Sequence, residues 1–129
     1  MKQAVLTTCA ALGCATLLTG CLFPRYTTIK EIYPPEKPQD SMSAEEASAF
    51  ISDKILNPPV GKNTFYPNDR TLGKYTTSIR LRTHNRTGLV LVEVKEGKRV
   101  SLEFYVRTQE DGEEFAAAVW RLRREYRGK

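Results

Sequence analysis

The sequence predicts an α+β domain in which a small three-stranded antiparallel meander packs against one or two helices, in the order α-β-β-β-α. Three observations predict it. Apolar and polar side chains alternate through much of the stretch from Ile79 to Val106, two segments with helical apolar spacing flank that stretch, and each of them opens on a capping signal. Helices that border a block of strands, rather than alternating with its members, fit an antiparallel sheet with a helical layer.

Each element has its own warrant. In Ser43-Ala44-Glu45-Glu46 the serine oxygen can accept from an orphan amide while Glu46 reaches back, which predicts a helix over 44–56. Ala44, Ala47, Phe50, Ile51 and Ile55 fall on one side of it, and Asn57-Pro58-Pro59 ends it. Residues 57–75 scatter Pro58, Pro59, Gly61, Pro67, Asn68, Asp69 and Gly73 around Phe65-Tyr66, so they read as turns with at most a short strand at Asn63–Tyr66. Loops held by a scaffold commonly carry specificity, which makes Phe65 and Tyr66 candidate binding residues; core plugs are the other reading.

Ile79, Leu81 and Thr83 then alternate with Arg80, Arg82 and His84, followed by Val90-Val92-Val94 and by Val100-Leu102-Phe104-Val106. Directly opposed residues share a face, so parity tests the register. Ile79 opposite Val94 puts Leu81 by Val92 and Thr83 by Val90, around the loop Asn85-Arg86-Thr87-Gly88. Val94 opposite Val100 puts Val92 by Leu102, around Glu96-Gly97-Lys98. The remaining face carries Arg80 beside Glu93, with Arg82, Leu91, Glu103, Tyr105 and Arg107. Finally, Asp111 and Glu114 suggest a second capping box, and Phe115, Ala118, Val119, Leu122 and Tyr126 form a stripe over 112–126. Trp120 flanks that stripe beside Arg123, Arg124 and Arg127. They read as a covered core edge with snorkelling arginines, or as a patch facing lipid headgroups.

The N-terminal segment carries different information. Met1-Lys2-Gln3 is a short positive start, Ala4–Leu18 is apolar, and Leu18-Thr19-Gly20-Cys21 closes the run with small residues and a cysteine. Ala4–Phe23 also has about the ~20 residues of a spanning helix, but Thr7, Thr8, Gly13, Thr16, Thr19 and Gly20 dilute it. Leu18-Thr19-Gly20-Cys21 resembles a bacterial lipobox. The resemblance implies diacylglycerol on the Cys21 thiol, removal of residues 1–20 and acylation of the new N-terminus. Leu22, rather than aspartate, follows the cysteine, which implies the outer membrane on its periplasmic side. The expected organisation is a signal peptide at 1–20, a lipidated cysteine with a proline-containing tether at 21–40, and one small domain at 41–129. Pro24, Pro34, Pro35 and Pro38 stiffen that tether, which at ~3.1 Å per residue could reach ~60 Å; an arm packed on the domain is the other reading, because a solvated spacer has little use for Tyr26, Ile29, Ile32 and Tyr33.

Cleavage discards Cys9 and Cys14, and lipid consumes Cys21, so the mature chain has no thiol for a disulfide, a zinc site or a nucleophile. The whole chain carries a formal +5, and removal of residues 1–20, whose one charge is Lys2, leaves +4. That balance favours anionic lipid, lipopolysaccharide phosphate or acidic proteins, and export disfavours nucleic acid. His84 is the sole histidine and has no second ligand at metal spacing. No serine lies in a G-x-S-x-G elbow or an S-x-x-K pattern, and no glycine-rich phosphate loop occurs. No cofactor or metal is expected. The functional expectation is therefore a lipid-anchored, non-enzymatic binding or assembly module of the envelope, held by Cys21, that meets an envelope protein or itself through an open strand edge. An alternative is direct binding of anionic glycolipid or peptidoglycan by Arg80, Arg82, Tyr105 and Arg107. A small hydrolase using His84 is the second alternative.

Overall fold

The computed structural model describes residues 25–37, 42–57, 60 and 68–127. The chain runs β1 (Tyr26–Ile32), α1 (Ala44–Leu56), α2 (Asp69–Tyr75), β2 (Ser78–His84), β3 (Val90–Glu96), β4 (Arg99–Val106) and α3 (Gln109–Arg127). The strands form one antiparallel sheet in the order β1-β2-β3-β4. α3 lies against β2, β3 and β4, while α1 and α2 pack on α3. The class is α+β, but among the described residues the sheet has four strands, there are three helices, and the order is β-α-α-β-β-β-α rather than α-β-β-β-α.

Two elements account for the difference. Residues 26–32 of the expected tether are the edge strand β1, whose pairing with β2 shifts register between Thr28 and Lys30. That bulge at Ile29 lets Ile29 and Ile32 both pack against the core. Their three-residue spacing hides the two-residue period by which a strand is recognised. The second is α2, which occupies residues expected to be turns. Asn68 and Asp69 read as turn formers, yet Asn68 is the N-cap and accepts from Thr71 N–H at 2.9 Å. Short polar side chains serve turns and helix starts by the same local hydrogen bond, so composition alone does not separate them.

The other elements follow their local chemistry closely. α1 spans the expected residues, and Ser43 and Glu46 form the reciprocal capping box at 3.1 and 2.9 Å. α3 starts earlier than expected because Thr108, rather than Asp111, supplies the capping oxygen, accepting from Asp111 N–H. The β2–β3 register is the one parity predicts, with Ile79 opposite Val94, Leu81 opposite Val92 and Thr83 opposite Val90. The β3–β4 hairpin differs. Glu96 opposes Arg99, so the turn has two residues, with Gly97 at φ +66° as left-handed backbone requires. A bulge at Ser101 then brings Leu102, not Val100, opposite Val94. Alternation of Val100, Leu102 and Phe104 continues through the bulge and so conceals it.

The core lies between the sheet and α3. Ile79, Leu81, Val92, Val94, Phe104 and Val106 meet Phe115, Val119 and Leu122 there, and α1 adds Ala47, Ile51 and Ile55. Phe104 and Phe115 pack edge to face with ring centroids 4.9 Å apart. Polar contacts tie the helices: Ser48 on α1 donates to Asp69 on α2, and the Arg127 guanidinium donates to the Lys74 carbonyl at 3.0 Å.

Candidate functional site

The same alternation that buries one face of the sheet sends Arg80, Arg82, Leu91, Glu93, Glu103 and Tyr105 to the other. Register then decides which of them meet. Arg80 opposes Glu93, Arg82 opposes Leu91, Leu91 opposes Tyr105, and Glu93 opposes Glu103. Arg80 Nε donates to Glu93 at 2.7 Å, and the Arg82 guanidinium lies 3.8 Å from the other carboxylate oxygen. The hydrogen bond to Glu93 raises the Arg80 pKa above its ordinary value. Glu93 is only 5 % exposed, so its charge is tolerated because two guanidinium groups face it.

β1 completes the face. The Arg82 guanidinium lies 5.0 Å over the Tyr26 ring, and the Tyr26 and Tyr105 hydroxyls are 2.5 Å apart, either able to donate. That hydrogen bond, then burial and the charges nearby, push the Tyr105 phenol up to about 12. Arg82 Nε is buried and has no hydrogen-bond partner among the described residues. Tyr26, Arg82, Leu91, Glu93, Glu103 and Tyr105 line a cleft of ≈ 240 Å³. Further along the sheet, Glu31 accepts from Ser78 at 2.7 Å and pairs with Lys95 at 3.4 Å. The Ser78 hydrogen bond, with Lys95 and Arg80 adding their charge, holds the Glu31 carboxyl below its ordinary value.

Arg80, Arg82 and Tyr105 therefore share one face, as parity placed them, but that face is not simply basic. Glu93 and Glu103 alternate into it and balance Arg80 and Arg82. Arg107 is exposed one residue beyond β4. Cys21, Phe65 and Tyr66 lie outside the described residues. Tyr26 is the member absent from the expected site residues: it joins this face because residues 26–32 are strand rather than tether, and with Ile29, Ile32 and Tyr33 it belongs to the large apolar groups that favour a packed arm.

His84 closes β2 and packs edge-on to Tyr26 at 5.2 Å and to Tyr105 at 6.4 Å. Its Nδ1 accepts from Thr87 N–H at 3.2 Å, which assigns the proton of a neutral ring to Nε2. Among the described residues no hydrogen bond joins His84 to a serine. Trp120 is 8 % exposed and belongs to the core, Arg123 donates to the Thr76 carbonyl, and Arg127 donates to Lys74. These contacts agree with the covered core edge, the first of the two readings, and Arg123 and Arg127 clamp α3 to the chain around α2. Burial, with Arg127 nearby, lowers the Arg123 pKa.

The sheet edges are less open than a plain meander would leave them. β1 carries its bulge and Lys30, which pairs with Glu113 of α3 at 2.9 Å, and Val60 bridges β4 at Tyr105. Bulges and charged side chains both discourage continuous pairing with another chain. Among the described residues there is no group of three or more His, Cys, Asp or Glu able to hold a metal ion, and no helix long and apolar enough to cross a membrane. No protein-family model, curated protein or solved structure matches this chain.

Proposed function

We propose that this protein is a lipid-anchored lipoprotein of the bacterial envelope, held on the periplasmic side of the outer membrane, whose folded domain binds or assembles rather than catalyses. The observation that carries the reading is Leu18-Thr19-Gly20-Cys21 at the end of an apolar, positively started N-terminal run. Two or three acyl chains on one residue hold a protein at a bilayer almost permanently, whereas one chain does so marginally. The domain supports the reading in a specific way. Its inner sheet face is consumed by the core, while Tyr26, Arg82 and Tyr105 frame a cleft on the other, supplying aromatic surface and hydrogen-bonding groups. The bulge in β1 and the bridge from Val60 to β4 favour recognition through this face over strand addition.

Intact-mass measurement of the protein purified from its native host tests the anchor. The expected species begins at Cys21 and carries acyl mass; retention of residues 1–20 with no added lipid overturns it. For the domain, crosslinking in intact cells should recover the same envelope partner from wild type and lose it in a Tyr105→Ala chain that remains folded. Equal recovery from both refutes the assigned face.

A further inference from the structure

If Cys21 is lipidated as proposed, the domain has almost no tether, because β1 begins at Tyr26. Five residues of fully extended chain span at most ~18 Å, and four, to Arg25, at most ~14 Å. The end of the sheet at which β1 starts then lies within reach of the bilayer. The pairing identifies that end residue by residue. Asn85 N–H donates to the Arg25 carbonyl at 2.7 Å, Tyr26 opposes His84, His84 N–H donates to the Leu89 carbonyl, and Val90 opposes Val106. Arg25, Arg86 in the β2–β3 loop, and Arg107 just after β4 therefore lie along one end of the sheet. Across four strands their backbones span about 15 Å. All three residues are exposed.

We infer that Arg25, Arg86 and Arg107 form a rim that seats the domain on anionic lipid headgroups beside its own anchor. This inference rests on the lipidation of Cys21. The carboxylates at this end do not cancel the rim. Glu113 is taken up by Lys30 and Gln109. Glu110 and Asp111 stand in the first turn of α3, where the partial positive charge of the helix start offsets them, and in the helical layer rather than the sheet. At most ~14 Å of chain separates Arg25 from the anchor, comparable with the ~10 Å screening length in 0.1 M salt. Acyl chains supply the affinity; the rim selects which surface faces the bilayer. His84, Tyr26 and Tyr105 then lie at the membrane-near end of the outer face, and the Gly97-Lys98 turn lies at the far end.

The test uses acylated protein in nanodiscs of phosphatidylcholine with one-third phosphatidylglycerol, doped with headgroup nitroxide lipid, reading amide broadening by NMR. Seven residues of strand separate the two hairpin turns by ~20 Å, so amides of Arg86–Gly88 should broaden at least roughly tenfold more than those of Gly97 and Lys98. Arg25→Gln, Arg86→Gln and Arg107→Gln together, or neutral discs, should remove most of that contrast while the unbroadened spectrum shows an intact fold. Equal broadening of both ends in wild type, or a triple variant indistinguishable from it, overturns the rim. Absence of acyl mass is instead the failure of the anchor. In that case the chain starting at Cys21, coupled through its thiol to a maleimide lipid, puts the same question to the rim with the same two outcomes.

Discussion

Gly73→Ala puts the packing of α2 on α3 to a quantitative test. A Cβ at residue 73 would lie 2.8 Å from the Leu122 carbonyl oxygen, 3.0 Å from its carbonyl carbon and 2.9 Å from Tyr126 Cδ2. Ordinary contact begins near 3.4 Å, and two of these atoms are helix backbone that cannot swing aside. α2 must therefore retreat from α3 by about half an ångström, and a gap of that order forfeits roughly a quarter of each affected dispersion contact. Leu72 and Leu122, both buried at that junction, bear most of the loss. Overpacking of this type costs about 1–3 kcal/mol, and the gain in helix propensity returns about 1. With backbone on one side and a ring on the other, the net expectation is a loss of about 1–2 kcal/mol. Urea denaturation of the chain starting at Cys21 should show a lower midpoint at unchanged slope, with faster amide exchange confined at first to α2. A stabilised Gly73→Ala protein would refute the reasoning, because propensity would then have outweighed a contact too close to accommodate.

Phe104→Ala should cost about 3–5 kcal/mol in the same assay, since the ring is 1 % exposed and packs on Phe115; a loss below 1 kcal/mol would mean the sheet–helix core is not closed there. Tyrosinate absorbance should show one phenol ionising late, near about 12, and Tyr26→Phe should bring Tyr105 back toward its ordinary value of 10.0. Because the folded value is raised, the stability this pair contributes is complete below the ordinary value and lost as pH rises through the folded one. Glu31 has the opposite sign: its lowered value means stability present above the ordinary carboxylate range and lost as pH falls through the folded value. Glu31→Gln should therefore flatten the acid side of the stability profile, and an unchanged profile would remove the Ser78 and Lys95 contacts from the account.

Function and fold were legible to different depths. Parity along Ile79–Val106 sufficed to place Arg80, Arg82 and Tyr105 on one face, because side-chain direction in a strand is a local property. Their electrostatic meaning was not local. Glu93 opposes both Arg80 and Glu103 only once register is set, and Tyr26 joins them only because β1 pairs with β2. For the same reason the arginine rim is invisible in the sequence, where Arg25, Arg86 and Arg107 are scattered over more than eighty positions.

What the amino-acid order determined by itself was whatever depends on neighbours along the chain: the capping box at Ser43, the helical stripes, the alternation of the central strands, and the signal-like run ending at Cys21. What only the tertiary structure decided was whatever depends on partners across space. A bulge at Ile29 converts an irregular apolar spacing into an edge strand, and a bulge at Ser101 resets a hairpin. In both cases burial of side chains against the core outweighs the regular period, and that balance is settled only when the packed layers meet.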